Sequence, residues 1–286
     1  MATFDELTTT HCPKYIQRFL EGKQTELEQR NVGFPWSEQG VDRALSSVGG
    51  TMQAACDICK LWDSQQQQGI APWGAHIAGG THHAFYDRGE GFSVFSDIAV
   101  AANIVLERFP NVIKNILIID LDVHQGNGNA VLFQNRPEVT TFSIHCQGNY
   151  FSKKESSDLD LELPIDCNDA TYLTTLQHWL NRIVRDEDQK FDLVFFQAGV
   201  DVLEDDRLGR MNLSQKGVER RNEMVYDFIR ALNIPLVICM GGGYPRTDDW
   251  TPILQAHANV YFQAYQYLIK WARADNEQTL TEALQE

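Results

Sequence analysis

Five short apolar runs, at residues 74–78, 115–120, 139–145, 192–198 and 235–240, each stop at polar or glycine residues and are separated by longer stretches of helical periodicity. A run of this length that is apolar on both faces reads as a strand covered on both sides, the environment of a parallel sheet. Helical patterns at 41–62, 96–108, 170–185, 214–232 and 256–271 fall among them, and several open on a Ser or Asp able to cap the first turn. The alternation predicts an α/β chain: a three-layer arrangement with a mainly parallel sheet flanked by helices and joined by right-handed crossovers. In such a sheet, ligands bind outside the carboxyl ends of the strands.

The length, 286 residues, suits a single domain over 1–286. No stretch of 18 or more apolar residues occurs, and residues 1–20 hold His11, Lys14 and Arg18 without an apolar signal core. These features point to a soluble cytoplasmic protein with no membrane partner. The glutamine run at 65–68 precedes Gly69, Pro72 and Gly74 and reads as a loop. The six cysteines, at 12, 56, 59, 146, 167 and 239, follow no disulfide framework. Cys56 and Cys59 form a CxxC inside a helical pattern with no second pair nearby, so they read as reduced helix positions facing the core. A formal charge of −15 argues against a nucleic-acid surface, which needs Lys and Arg to neutralise phosphates. A cationic partner is easier to accommodate, although the same charge also serves solubility alone.

Reactive groups collect where the strands end. The run at 115–120 passes into Asp120, Asp122 and His124; side chains two apart on a strand share a face, so Asp122 and His124 can reach one cation while Val123 turns back into the core. Asp120 lies one step deeper on the same face. Gly126 and Gly128 then permit a tight exit. The run at 74–78 leads to Gly79, Gly80, Thr81, His82 and His83, that at 192–198 to Gly199, Val200 and Asp201, and that at 235–240 to Gly241, Gly242, Gly243 and Tyr244. Singly, each has a structural explanation: a buried Asp–His pair, a helix-capping Asp201, a packed Tyr244, a histidine pair on a surface loop. Together they require four coincidences at one rim.

The motifs GGTHHAFYDRGEGF, IDLDVHQGNG, FQAGVD and GGGYP, in this order, resemble the zinc-dependent histone deacetylase superfamily, whose members have the arginase-deacetylase fold. The likeness runs from about Val32 to near Ala272, and GFPWS, SDLDLELP and HANVY look most like the class IV branch and its bacterial relatives. The resemblance implies that Asp122, His124 and Asp201 ligate a catalytic divalent ion. Three protein ligands with an open position suit zinc, and the hard donor set also admits ferrous iron. It implies an amide hydrolysis in which the ion acidifies water and polarises the acyl carbonyl. His83 would act as general base, His82 would be held charged by Asp120, and Tyr244 would donate to the oxyanion. Asp120, Asp122 and His124 with Ser143 resemble the family's inner monovalent-cation site, usually potassium. Gly91 and Phe92 would form one wall of an acyl-lysine channel, Tyr150 or Phe151 another, and Gly242 and Gly243 would let the tyrosine loop approach the substrate.

Two departures stand out. Asn127 occupies the place where class I members carry an aspartate beside the second histidine, so a neutral partner should leave His83 with a lower pKa. The chain also starts just before the helix containing Tyr15, where family members usually carry a further strand and rim loop; losing an edge strand would expose sheet edge. The resulting expectation is a metal-dependent deacetylase or longer-chain deacylase acting on an acylated lysine peptide or protein. An acetylpolyamine amidohydrolase is the alternative, followed by a non-enzymatic acyl-lysine binding module. A binuclear arginase-like site lacks the bridging aspartates it would need.

Overall fold

Successive side chains of the central strands enter two cores in turn, and this alternation builds the layers. The computed structural model describes residues 1–150, 153–186 and 190–283. Six strands, β1 (Trp73–His76), β2 (Ile116–Asp120), β3 (Val139–Cys146), β4 (Leu159–Leu163), β5 (Leu193–Gln197) and β6 (Leu236–Cys239), form one all-parallel sheet in the order β1-β6-β5-β2-β3-β4. Ile116 and Ile118 of β2, Leu193 and Phe195 of β5 and Val237 of β6 enter one apolar core. Leu117, Ile119, Val194, Phe196 and Ile238 enter the other. The first core is closed by α1 (Phe4–Thr8), α2 (Pro13–Leu20), α4 (Glu38–Ser64) and α5 (Asp97–Arg108); α3 (Glu26–Val32) lies at its border, with Val32 buried in it. The second is closed by α7 (Asp169–Arg185), α8 (Gln215–Leu232) and α9 (Thr251–Ala283), while α6 (Asn127–Phe133) follows the loop that carries Asp122 and His124. Ser37, Ser96, Asn168 and Ser214 cap α4, α5, α7 and α8 through their side chains.

The predicted elements are present with shifted limits, and three features differ. The strand expected to carry Asp122 and His124 ends at Asp120. Its alternation nevertheless persists, since Leu121 and Val123 are buried in the second core and the main chain stays tied to its neighbours: Leu121 N–H donates to Gln197 O (3.1 Å) and Val123 O accepts from Cys146 N–H (2.9 Å). β4 was not expected: it is an edge strand with Leu159 and Leu161 only half-buried. α6 opens on Asn-Gly-Asn and spans 7 residues, too few to show a period. Cys59 is buried and Cys56 half-buried on α4, and all six cysteines are free. Among the described residues no helix is long and apolar enough to cross a membrane.

The topology locates the site. β2 and β5 are neighbours, but β2 continues to β3 on one side and β5 to β6 on the other. Their carboxyl ends therefore flank a switch point, where the connecting loops part and leave a crevice.

The loop before that crevice depends on a buried histidine. His11 lies within the first core, Ser96 N–H donates to its Nε2 (2.9 Å), and Nδ1–H therefore donates to Phe85 O (2.8 Å). Burial lowers its pKa to about 4, and burial does the same to His257. Because both folded values lie below the unfolded one, the unfolded chain takes up protons first; stability is complete above about pH 6.5 and is lost as pH falls toward 4. About 2 kcal/mol per histidine should disappear between pH 7.5 and 5. Urea midpoints across this range check the effect, and a midpoint constant to pH 5 would contradict it.

Candidate active site

Asp122 and His124 follow β2, and Asp201 follows β5. One ligand atom from each, all within 4.8 Å of one another, meet at the crevice. Main-chain donors pin the carboxylates: Gly242 N–H donates to Asp122 Oδ2 (2.8 Å), His124 N–H to Asp122 Oδ1 (3.0 Å) and Val123 N–H to Asp201 Oδ1 (2.9 Å). His124 Nδ1 lies 3.2 Å from Asp122 Oδ1 and 3.1 Å from Asp201 Oδ2. The pocket is built to hold positive charge. Burial and the neighbouring Asp122 raise the Asp201 carboxyl to about 7, while the two carboxylates overcome burial to carry His124 up to about 10. A divalent ion relieves this repulsion better than a proton does, and two carboxylates with an imidazole are a suitable donor set, so the residues fit a metal.

The histidine pair is divided by its partners. His82 Nδ1 lies 2.6 Å from Asp120 Oδ2, and although burial opposes charge, Asp120 and Asp122 carry its pKa up to about 9. His83 Nδ1 lies 2.7 Å from Asn127 Oδ1. Gly128 N–H donates to that same atom (3.0 Å), which identifies it as the amide oxygen and makes His83 Nδ1 the donor and Nε2 the basic nitrogen. Burial, then the neighbouring His82 and His124, hold His83 well below its ordinary value. The lowering comes from burial and the two neighbouring imidazoles, and the hydrogen bond to Asn127 works against it. The two rings are 4.0 Å apart between centroids. Asp97 holds the loop that presents them, accepting from Gly80 N–H (2.9 Å) and from Thr81 N–H and Oγ1–H (both 2.8 Å). Gly80 has φ +80, and a Cβ there would collide with Gln197.

Above the triad lies a cavity of about 790 Å³ whose lining includes His83, His124, Tyr244, Gly91, Phe92 and Tyr150. Tyr244 hangs from Asp206, whose buried carboxylate accepts its N–H at 2.6 Å as well as those of Leu208 and Gly209. Burial raises the Tyr244 pKa, so its hydroxyl stays a donor. The Phe92 ring stands 5.9 Å from the Tyr244 ring. Gly91 and Phe92 have φ of +51 and +64 in a tight turn closed by Ser93 N–H to Glu90 O (2.8 Å). A left-handed phenylalanine costs about 1–2 kcal/mol, and this backbone strain puts the ring on the cavity wall.

Not every expected residue lines the cavity. Gly242 and Gly243 stand behind the ligands: a Cβ on Gly242 would strike Asp201, and one on Gly243 would meet His257 at 2.5 Å. Their missing Cβ atoms let the loop pack against these side chains. Ser143 is the register partner of Asp120, but its hydroxyl pairs with His145 Nδ1 (2.9 Å). Phe151 lies outside the described residues.

Three further residues escaped the sequence reading. Asn149 is buried with its Nδ2 3.2 Å from His124 Nε2, and it also donates to Leu208 O (2.8 Å) and accepts from Arg210 N–H (2.9 Å). Asp206 anchors Tyr244. Arg221, fully buried on α8, donates to the carbonyls of Gly199 (2.5 Å), Ala198 (3.3 Å) and Leu121 (3.3 Å), tying together the loops that carry the ligands. The DxH triplet had a spacing to read, whereas these three act across long sequence separations and have no local signature.

An Asp–His–Asp triad able to hold a metal at a switch point, with a basic histidine and a protonated tyrosine beside it, is the equipment of a hydrolase working at a metal centre. A model of the histone deacetylase domain matches residues 1–260. The chain belongs to the histone deacetylase family. It is 40% identical over 240 residues to an uncharacterized protein of Picosynechococcus sp., covering 84% of this chain and 75% of that one. It is 32% identical over 225 residues to histone deacetylase 2 of Arabidopsis thaliana, covering 78% of this chain and 52% of that one. Against the crystal structure of an HDAC homolog complexed with SAHA the TM-score is 0.71 at 23% identity, over 96% of this chain and 71% of the other. That likeness carries the fold, the arginase-deacetylase fold expected from the motifs.

Proposed function

We propose that the chain hydrolyses the amide of an Nε-acyl-lysine, as a deacetylase or longer-chain deacylase, with zinc held by Asp122, His124 and Asp201 and ferrous iron as the alternative ion. The observation that carries this reading is the placement of His83 and Tyr244 in the lining of the cavity that ends on His124 of the triad. The bound ion would supply Lewis acidity, lowering the pKa of a water and polarising the acyl carbonyl. His83 Nε2 takes the proton the water loses as its oxygen adds to the carbonyl carbon. Charged His82, buttressed by Asp120, and the Tyr244 hydroxyl stabilise the negative oxygen that results. The carbon–nitrogen bond then breaks and the leaving amine takes the proton from His83. Phe92 and Tyr150 flank the lysine stem. A potassium ion near Asp120, Asp122, His124 and Ser143 belongs to the same reading, supported by the pairing of β2 and β3 that sets Ser143 beside Asp120.

The acetylpolyamine alternative has less support. Arg30 and Arg210 line the cavity and no described carboxylate does, so a free polycation meets like charge there despite the net charge of −15. A panel of acetyl-lysine peptide, myristoyl-lysine peptide and acetylated polyamines, turned over by zinc-loaded protein, tests the assignment. Cleavage of an acyl-lysine peptide in preference to the polyamines is expected. Cleavage of polyamines alone, or of nothing while zinc is bound, would refute it.

A further inference from the structure

Charge at the cavity rim runs opposite to charge on the chain as a whole. Asp and Glu number 39 against 24 Lys and Arg, yet among the described residues the Asp, Glu, Lys or Arg side chains lining the cavity are two arginines, Arg30 and Arg210. They come from separate segments. Arg30 sits in the last turn of α3, a segment fastened to the Phe92 turn by Gly91 N–H to Asn31 O (3.0 Å) and Phe92 N–H to Val32 O (2.8 Å). Arg210 lies beyond Asp201 and is fastened to the Tyr150 loop through Asn149 and by its own Nη1–H to Gly148 O (3.1 Å).

Both side chains are exposed, and among the described residues neither is ion-paired. Around the rim segments, Glu28, on the same helix as Arg30, pairs with Arg18 (2.6 Å), and Glu90, in the turn of Phe92, lies 3.9 Å from Arg88, while Glu26, one turn before Arg30, is exposed and forms no ion pair among the described residues. Arg30 uses Nε–H on Glu26 O (3.3 Å) and Arg210 one donor on Gly148 O, so most of each guanidinium fork remains available for a planar carboxylate.

An acyl-lysine reaching the triad between Phe92 and Tyr150 leaves its own backbone on this rim, and its neighbours in the peptide beside the arginines. We infer that Arg30 and Arg210 select acyl-lysines flanked by Asp or Glu. This inference rests on the amide-hydrolase reading above and narrows its substrate class to acidic peptide segments. The pairs are solvated, so each acidic flank should be worth about 1.5- to 5-fold in affinity, declining as salt shortens the screening length.

The test uses three otherwise identical acetyl-lysine peptides with Glu, Gln or Lys on both sides of the modified residue. Binding is read by fluorescence anisotropy with zinc-loaded Tyr244→Phe protein and turnover with the unmodified protein. The Glu-flanked peptide should bind at least about 2-fold tighter than the Gln-flanked one and the Lys-flanked one weaker still. The double variant Arg30→Glu, Arg210→Glu should invert that order, and 0.5 M salt should flatten it, about five times the ionic strength at which screening reaches ~10 Å. Because the readout is a ratio between peptides, partial loss of folded protein does not imitate it. Equal binding, a preference for Lys, or a Glu preference surviving charge reversal would overturn the inference, as would no binding of any peptide. Turnover without preference would sink the rim alone, whereas the expected preference without turnover would sink the hydrolase reading and leave the rim standing.

Discussion

Replacing Tyr244 with Phe should lower kcat by about 10²–10³ while leaving KM and thermal stability close to those of the parent. The substitution keeps the ring that packs 5.9 Å from Phe92 and the backbone N–H held by Asp206, and removes only the hydroxyl. Burial keeps that hydroxyl protonated, and its hydrogen bond gains strength only as the carbonyl oxygen becomes negative. A contact made mainly in the transition state appears in kcat. His83→Ala should cost about 10²–10⁴ by removing the base. The two losses should not multiply, because residues acting in one step are strongly non-additive. Steady-state kinetics on the acyl-lysine peptide checks all three statements. A Tyr244→Phe protein with unchanged kcat would remove this residue from the chemistry.

Gly242→Ala should abolish activity by a different route. Its backbone needs no left-handed conformation, unlike Gly241 at φ +70, so alanine is not excluded by strain. The added methyl would instead collide with Asp201 Oδ2 and stand 2.9 Å from Asp122 Oδ2, both carboxylates of the triad. It would also disturb the 2.8 Å bond from Gly242 N–H that orients Asp122. Zinc affinity should fall about 10- to 100-fold, the usual result of disturbing what orients a ligand. Competition with a chromophoric chelator measures this, and circular dichroism of the metal-free protein should show little change. Unaltered zinc affinity would mean that the carboxylates are held by something other than this loop.

These two positions also show what could be read from the chain alone. Tyr244 and the triad were legible because each sits at the end of an apolar run, and a parallel sheet brings such ends to one rim whatever the loops do. Gly242 was legible as a glycine that matters, and the fold adds a second reason for it: its missing Cβ leaves room for the carboxylates of Asp201 and Asp122. Local periodicity failed at β4, whose half-buried edge position gives a weak signal, and at the end of β2, where Leu121 and Val123 keep turning into the core beyond the strand. Asn149, Asp206 and Arg221 were illegible for a stronger reason. Their partners lie 25, 38 and up to 100 residues away, and nothing near them in sequence marks those contacts. The rim arginines were hidden in the same way, since a net charge of −15 suggests a cationic ligand until the fold separates the body of the molecule from its cavity.

The central claim is that hydrolysis depends on one divalent ion held by Asp122, His124 and Asp201. The most direct measurement is hydrolysis of an acyl-lysine peptide by chelator-stripped protein as zinc is returned in graded amounts, with Asp201→Asn protein in parallel. Activity should start from background, rise in proportion to zinc and level off at one equivalent per chain, while the Asp201→Asn protein stays at background throughout. Activity that survives stripping, or that Asp201→Asn leaves intact, would contradict the claim.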